Sequence, residues 1–277
     1  MPATTYRTMS AIDPDGKRHT KTVSLSKFSN AHIDLHTPKW KAAIRRGDQY
    51  EFPVEARPEL APRTTLFDTY DISKLCLFPN GGTSLCLIGS TRSGKSTAFI
   101  YIWELLFKKH CTILSTLSRQ ADIYKPVQKS AVVAQGFHKE LISDAMKINN
   151  ATNNKYPFLF VFDDLALDGK NSPAMTKLLT VGRNSNCSVI ISGQKSTMLS
   201  ATGRSNCNYV LLFKQNSELA IEDSVKCFLR SYFPANMTIP EMCRAYRELT
   251  ADHSFFIVDT INDTCHLSKI PASEVKT

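Results

Sequence analysis

The sequence predicts an α/β fold in which helices flank a mostly parallel central sheet, preceded by a polar N-terminal extension. From about residue 64 onward, short apolar runs alternate with longer amphipathic segments, which is typical of parallel strands connected by helices. One early run, Ser84–Ile88, leads into a loop bounded by glycines and then into an apolar, aromatic-rich segment. A later run over residues 158–162 ends in two aspartates. In open α/β sheets, the carboxyl ends of such strands carry the binding site.

The same alternation assigns the individual elements. The runs predicted to be strands are residues 84–88, 111–115, 158–162, 188–192, 209–213 and 255–259, with 131–134 as a weaker candidate. The segments predicted to be helices are residues 97–108, 139–149, 173–183 and 219–231. We therefore expect one domain over residues 63–277.

Residues 1–62 differ from the rest of the chain. They are polar and basic, contain no long periodic segment, and end in a proline-punctuated stretch that we interpret as a linker. The sequence predicts a basic N-terminal arm that is partly flexible. Trp40 and Tyr50 lie among lysines and arginines, a combination that suits nucleic-acid contact. Packing of the arm onto the core or onto a neighbouring subunit is the favoured explanation of these two aromatic residues.

The composition limits the class of protein. The chain of 277 residues has 42% hydrophobic residues and a net charge of +9, which describes a soluble globular protein. It contains neither a run of about 18 apolar residues nor the apolar core of a signal peptide, so we expect an intracellular protein without a membrane span. The positive charge favours a polyanionic partner, and solubility alone explains it equally well. The eight cysteines are scattered without a C-x-x-C pair, which favours buried free thiols.

The loop after the first strand reads G-x-x-x-x-G-K-S, the phosphate-binding pattern, in the strand–loop–helix context that this pattern requires. Its glycines allow a tight turn that points backbone N–H groups at phosphate oxygens, and the following helix N-terminus favours the same negative charge. Lys95 is expected to reach the β- and γ-phosphates, and the Ser96 hydroxyl to ligate Mg²⁺. The predicted ATP-binding residues are Gly89, Ser90, Thr91, Arg92, Ser93, Gly94, Lys95, Ser96 and Thr97.

Two carboxylates supply the second half of the predicted site. Asp163 and Asp164 end an apolar run in the Walker B form, which brings carboxylates to the strand edge beside the phosphate loop. We expect Asp163 to hold Mg²⁺ through water or through the Ser96 hydroxyl. Asp164 occupies the position of a catalytic carboxylate that orients the attacking water, although glutamate is the commoner residue there.

An amide and several arginines complete the set of candidates. Gln194 follows the next predicted strand, where a polar side chain can sense the γ-phosphate and position water. An arginine from a neighbouring subunit would stabilise charge in the transition state. Arg204 is the preferred candidate for this role. Arg183 and Arg92 are the alternatives, and a surface or capping role remains open for each of them.

Taken together, these motifs resemble the FtsK–HerA superfamily of ring-forming, DNA-pumping ATPases. Within it, they are most similar to the genome-packaging ATPases of large DNA viruses of the poxvirus type, with relatives in virophages and membrane-containing phages. The residues that carry the resemblance are 89–97, 158–164, 182–194 and 204–206 leading into 209–214, so that it covers about residues 85–214. An aspartate at position 164 instead of glutamate fits the viral branch.

The resemblance implies an additional-strand, RecA-like P-loop core, a homo-oligomeric ring of about five or six subunits, and ATP-driven movement of double-stranded DNA into a preformed capsid. It further implies a capsid or vertex protein as a partner, and a location in the host cytoplasm or virus factory with association with the virion. Lys95, Asp164, Gln194 and Arg204 would be catalytic, with Ser96 and Asp163 at the metal. Residues 119–129 and 195–204 are candidates for gripping DNA phosphates, although a solvated loop is the favoured interpretation of each.

Two other functions are compatible with the phosphate loop. One is a small-molecule kinase that phosphorylates a nucleoside or nucleotide. Such enzymes usually carry a basic lid over the acceptor and rarely pair an Asp-Asp strand end with a downstream glutamine. The other is a non-catalytic assembly protein that ATP merely stabilises, against which the intact Lys95, Ser96, Asp163 and Asp164 argue.

Overall fold

A computed structural model describes residues 6–12, 18–24, 44–46, 49–51, 66–78, 81–117, 122–165 and 173–271. The chain divides into two compact units, Met1–Thr64 and Thr65–Thr277. In the first unit, strands β1 (Tyr6–Ile12) and β2 (Arg18–Ser24) pair antiparallel, as do β3 (Ile44–Arg46) and β4 (Gln49–Glu51). None of these four strands was predicted from the sequence. Trp40 and the side chain of Tyr50 lie outside the described residues.

The second unit contains an eight-stranded sheet within the described residues. Its strands are β5 (Ser84–Ile88), β6 (Cys111–Thr116), β7 (Ala131–Gln135), β8 (Phe158–Asp163), β9 (Cys187–Gly193), β10 (Tyr209–Leu212), β11 (Ser254–Asp259) and β12 (Thr264–Lys269). They lie in the order β12-β11-β10-β5-β9-β8-β6-β7. The pairs from β10 to β7 are parallel, and β11 and β12 add antiparallel at one edge. The predicted α/β class with a mostly parallel sheet is confirmed.

Helices cover both faces of this sheet. They are α1 (Lys95–Ile102), α2 (Lys125–Gln128), α3 (Lys139–Ala151), α4 (Pro173–Val181), α5 (Ala201–Ser205), α6 (Glu218–Ser224) and α7 (Ile239–Leu249). The π-helical turns Trp103–Phe107 and Val225–Leu229 continue α1 and α6. Short 3₁₀ turns occupy Ile72–Lys74, Asp122–Tyr124, Gly182–Ser185 and Ser196–Met198. In the described part of the chain, no helix is both long enough and apolar enough to cross a membrane.

The core lies in two layers because the central strands are buried on both faces. Along β8, Phe160 and Phe162 pack into one layer, and Leu159 and Val161 pack into the other. This double burial explains why β8 reads as a continuous apolar run rather than as an alternating one. It also holds the carboxyl ends of β5, β8 and β9 rigidly at one edge of the sheet, where all the motif residues of these strands emerge.

The cysteines follow the expected pattern only in part. All eight lie among the described residues and are free thiols. Those that are buried are Cys86, Cys187, Cys207 and Cys243, whereas Cys76, Cys111 and Cys227 are exposed. Cys76 lies in a connection, Cys111 at the start of β6 and Cys227 within the π-helical turn after α6, so an apolar neighbourhood in sequence did not ensure burial.

Candidate active site

The loop between β5 and α1 folds tightly because of its glycines. A Cβ on Gly89 would lie 2.6 Å from the Cβ of Phe213 and 2.7 Å from the Oγ of Ser93, so no side chain fits there. Gly94 has a φ of 98° at the start of α1, a left-handed conformation that favours glycine. The loop is thereby held against the end of the sheet with the first turn of α1 directly behind it, which is the arrangement of an anion-binding site.

Hydrogen bonds to the ends of neighbouring strands and the segments after them hold this loop in place. The Gly89 N–H donates to the carbonyl of Gly193 at 3.0 Å, and the Ser90 N–H donates to the carbonyl of Lys214 at 2.9 Å. The Asn216 N–H donates to the Ser90 Oγ at 2.9 Å. No motif in the sequence indicated this bracing by the segment after β10.

Lys95 is buried and folded back onto the loop. Its Nζ donates to the carbonyl oxygens of Gly89 and Ser90 at 2.9 and 3.0 Å, and lies 3.9 Å from Oδ1 of Asp164. Burial lowers the pKa of Lys95, and the negative charges of Asp164 and Asp163 partly oppose this effect. The ammonium group therefore lies at the phosphate loop with its donors directed to loop carbonyls.

Asp163 and Tyr124, which are buried, form a cluster with the partly buried Ser96 at the end of β8. The Ser96 hydroxyl donates to Oδ2 of Asp163 at 3.0 Å, and the Tyr124 hydroxyl donates to the same oxygen at 2.7 Å. Burial and then the charge of Asp163 raise the pKa of Tyr124 above its usual value, so this hydroxyl keeps its proton. Ser96 and Asp163 were predicted from the sequence, whereas no motif marks Tyr124.

This cluster fits a Mg²⁺ ion. The Oδ1 of Asp163 is buried and has no hydrogen-bond partner within the described residues, and an anionic oxygen in this condition is suited to a hard cation or to its bound water. The Ser96 hydroxyl donates a hydrogen bond to Asp163, so the lone pairs of the Ser96 oxygen stay available for the same ion. Both donor groups are oxygens, the ligand type that Mg²⁺ prefers.

Asp164 lies at the mouth of the site. Its backbone has a φ of 47°, in the left-handed region that aspartate tolerates better than most residues. Its side chain is 43% exposed, with Oδ1 3.9 Å from the Nζ of Lys95. The carboxylate is therefore accessible to water and within range of the loop lysine, as a group that orients an attacking water must be.

Gln194 emerges between the two halves of the site. Strand β9 lies between β5 and β8, with Gly193 paired to Ile88 and Ser192 paired to Asp163. This intervening strand is the additional strand that the family resemblance implied. The Gln194 Nε2 donates to the Thr91 Oγ1 at 3.4 Å, a long contact across the mouth of the site. The amide thus lies between the phosphate loop and the paired aspartates.

The three arginines lie in different places. Arg204, on α5, donates from Nη1 to the carbonyls of Leu199 at 2.7 Å and Ser196 at 3.4 Å. Arg183 is exposed in the turn that precedes β9, which places it at the edge of the sheet opposite the phosphate loop. Arg92 is exposed within the loop, with a φ of 62°. The structure brings Lys95, Ser96, Asp163, Asp164 and Gln194 together at one edge.

Comparison with known proteins decides the family. Residues 80–228, which include the phosphate loop, the paired aspartates, Gln194 and Arg204, match the family model described as poxvirus A32 protein. The chain belongs to the poxvirus A32 protein family. With the additional-strand core of the sheet, this membership confirms the predicted resemblance to P-loop ATPases of the FtsK–HerA type.

The A32-family chain also resembles individual viral proteins. It is 27% identical over 208 residues to uncharacterized protein 015R of Frog virus 3, covering 70% of this chain and 63% of the relative, so the alignment spans less than two thirds of that protein.

Among solved structures, similarity extends to the genome packaging NTPase B204 of Sulfolobus turreted icosahedral virus 2 in complex with sulfate. That match has 15% identity and a TM-score of 0.50, and covers 70% of this chain and 98% of that one. B204 from Sulfolobus turreted icosahedral virus, described as a DNA-packaging ATPase, gives 17% identity and a TM-score of 0.48. That match covers 69% of this chain and 99% of B204. At these identities the first likeness shows a shared fold.

Proposed function

We propose that this A32-family ATPase is a translocase that uses ATP hydrolysis to move double-stranded DNA into a preformed viral capsid. The observation that carries the proposal is the placement of a phosphate loop, two acidic side chains and an amide at one sheet edge, in a chain of this family. The protein B204 of Sulfolobus turreted icosahedral virus 2, which shares the fold, is a genome packaging NTPase, and this agrees with the proposal.

In this proposal, Lys95 leaves the carbonyls of Gly89 and Ser90 when a nucleotide binds and turns its donors to the β- and γ-phosphates. Phosphate oxygens would replace the two carbonyl acceptors that the side chain uses at 2.9 and 3.0 Å. Ser96 and Asp163 would hold Mg²⁺, which when bound neutralises charge on the phosphate oxygens. The backbone N–H groups of the loop would hold the remaining oxygens.

Asp164 and Gln194 would position the attacking water. Asp164 is half exposed and close to Lys95, and Gln194 projects from the strand between the phosphate loop and Asp163. A carboxylate that accepts a hydrogen bond from water, with an amide that fixes its orientation, provides the alignment that phosphoryl transfer requires. The shorter aspartate side chain would require the water to lie close to the end of β8.

Arg204 would act on the nucleotide of a neighbouring subunit in a ring. Its guanidinium is half-buried and is held by the carbonyls of Leu199 and Ser196. Such a fixed guanidinium is suited to complete a site across an interface without losing side-chain entropy at that moment. Each ATP site would then be shared, so that hydrolysis in one subunit depends on its neighbour.

DNA would be held through its phosphates without reading of bases, which is consistent with the net charge of +9. Exposed lysines occur in both of the candidate segments, Lys125 and Lys129 in the first and Lys195 in the second. Arg119, also in the first segment, lies outside the described residues. A capsid vertex protein would be the docking partner, and the host cytoplasm or virus factory the location.

The test is the ATPase rate of the full chain with and without double-stranded DNA, over a series of salt concentrations. We expect DNA to stimulate turnover, salt to reduce the stimulation, and Lys95→Ala to abolish turnover. Turnover that is indifferent to DNA, in a protein that remains monomeric with nucleotide, would contradict the translocase. Transfer of phosphate to a nucleoside or nucleotide would support a kinase instead. Wild-type function in the Lys95→Ala variant would support a non-catalytic assembly protein.

A further inference from the structure

We propose that Tyr124 is a positioning residue of the ATPase site: its hydroxyl fixes the carboxylate of Asp163 so that one oxygen stays available for Mg²⁺. This inference rests on the ATPase function proposed above and assigns a role to a residue outside the phosphate-loop and Walker B motifs. It concerns the orientation of the metal-binding group, and Tyr124 itself is not placed in contact with nucleotide.

The geometry separates the two oxygens of Asp163. Oδ2 accepts two hydrogen bonds, from the Tyr124 hydroxyl at 2.7 Å and the Ser96 hydroxyl at 3.0 Å. Oδ1 accepts none from the described residues although it is buried. A carboxylate held by a single donor can rotate about its last torsion and exchange its oxygens, whereas two donors that converge on one oxygen oppose that rotation. The free oxygen is therefore always the same one.

Tyr124 is itself firmly held. The residue is 5% exposed and packs in the core layer that contains Phe99 and Val161. The Thr116 hydroxyl lies 3.4 Å from the Tyr124 oxygen as a donor, and Thr116 at the end of β6 pairs in register with Asp163. A chain of hydroxyl groups thus runs from β6 through Tyr124 to the carboxylate at the end of β8. Partners of this kind, one step behind a metal ligand, orient the ligand and tune its affinity.

Tyr124 also begins the segment that carries two exposed lysines. It ends the 3₁₀ turn Asp122–Tyr124 and directly precedes Lys125, and Lys129 follows α2. Tyr124 and Val127 are buried and fix this segment to the core, while the two lysines project outward. The bond to Asp163 therefore connects the metal-binding carboxylate directly to one of the basic segments considered for DNA contact.

The test is a Mg²⁺ titration of the binding of a fluorescent ATP analogue to the full chain, comparing wild type with Tyr124→Phe. Phenylalanine keeps the buried ring and removes only the hydroxyl. We expect the apparent Mg²⁺ affinity to fall about 10- to 100-fold, the usual effect of losing such a supporting partner. Binding of the analogue in EDTA should stay unchanged, because the phosphate loop is untouched.

A matched control is Tyr232→Phe. The Tyr232 hydroxyl also donates to a carboxylate at 2.7 Å, that of Asp263, which lies in the connection between β11 and β12. This variant should reproduce the wild-type Mg²⁺ titration. An unchanged Mg²⁺ midpoint in Tyr124→Phe would overturn the inference, and so would an equal loss of binding in EDTA, since Tyr124 would then support the loop. Failure of the wild type to bind the analogue at any Mg²⁺ concentration would overturn the proposed ATPase function along with it.

Discussion

Replacing Lys95 with methionine should weaken nucleotide binding while leaving the stability of the fold almost unchanged. Methionine keeps the unbranched apolar stem of the buried side chain and removes the ammonium group. That group donates hydrogen bonds to the carbonyls of Gly89 and Ser90 at 2.9 and 3.0 Å, so its removal would at first sight be strongly destabilising.

The expected change in the free energy of unfolding is the small difference between two terms. Two hydrogen bonds from a charged donor contribute about 1.5–3 kcal/mol each. Removing an ammonium group from water costs several kcal/mol, and the lowered pKa of Lys95 shows that this cost exceeds the attraction of Asp164 and Asp163. The terms are similar in size and opposite in sign, so we expect Lys95→Met to differ from wild type by no more than about 1 kcal/mol. Nucleotide affinity should fall by at least about tenfold, since the lost bonds to phosphate are charge-assisted.

The pH dependence of the free energy of unfolding tests the same prediction. The pKa of Lys95 is lower in the folded chain than its usual value of 10.5, so between the two values the unfolded chain binds more protons and stability rises with pH. The penalty for burying the charge is complete below the folded pKa and disappears as pH approaches 10.5. Urea unfolding of both proteins from pH 7 upward should show this rise in wild type and not in Lys95→Met. A loss of more than about 2 kcal/mol in the variant at pH 7, or parallel pH profiles of the two proteins, would show that the buried ammonium group stabilises the fold.

Four further substitutions test other parts of the site. Asp163→Asn should remove the Mg²⁺-dependent part of nucleotide binding in a fluorescence titration, whereas Asp164→Asn should preserve that binding and lower turnover by about 10²- to 10⁴-fold; equal effects on binding would contradict their separate roles. Gly89→Ala should lower stability by about 1–3 kcal/mol in urea unfolding, because its Cβ would overlap Phe213 at 2.6 Å, and a wild-type midpoint would show that the loop adapts. Arg204→Ala should lose turnover and recover it when mixed with Lys95→Ala subunits; no recovery in the mixture would argue against an arginine acting across subunits.

The strands buried on both faces were predictable from the sequence because each is a continuous apolar run between turn residues. Strand β8 is the clearest case, and its position next to β9 follows from the order of the motifs. Strand β12 (Thr264–Lys269) was missed because it lies at the sheet edge, where only Ser268 is fully buried and no apolar run is needed.

Helix α7 was missed although the sequence contains its signals. Thr238 and Glu241 form a capping box, in which the Thr238 N–H donates to Oε2 of Glu241 at 2.8 Å. Met242, Cys243 and Tyr246 then recur at helical spacing and are buried. The polar residues between them obscured this spacing in the sequence, because only the apolar face of the helix shows the helical period.

The site was predictable where its residues belong to motifs at strand ends. Ser96 and Asp163 were expected to share a metal ion. In the structure their side chains are in hydrogen-bond contact. The bond from Tyr124 to Asp163 joins residues 39 positions apart and depends on how a short turn packs beneath α1. No local pattern encodes such a contact. The position of Lys95 on the loop carbonyls likewise results from side-chain geometry, because the motif specifies only that the lysine can reach the phosphates.

Movement along double-stranded DNA, driven by ATP hydrolysis, is the activity proposed for this protein. Displacement of a labelled third strand from a DNA triplex measures that movement directly. We expect the wild type to displace the strand only with hydrolysable ATP, and Asp164→Asn, which retains nucleotide binding, to leave the triplex intact. DNA-stimulated ATP hydrolysis by the wild type without displacement of the third strand would show that the protein is not a translocase.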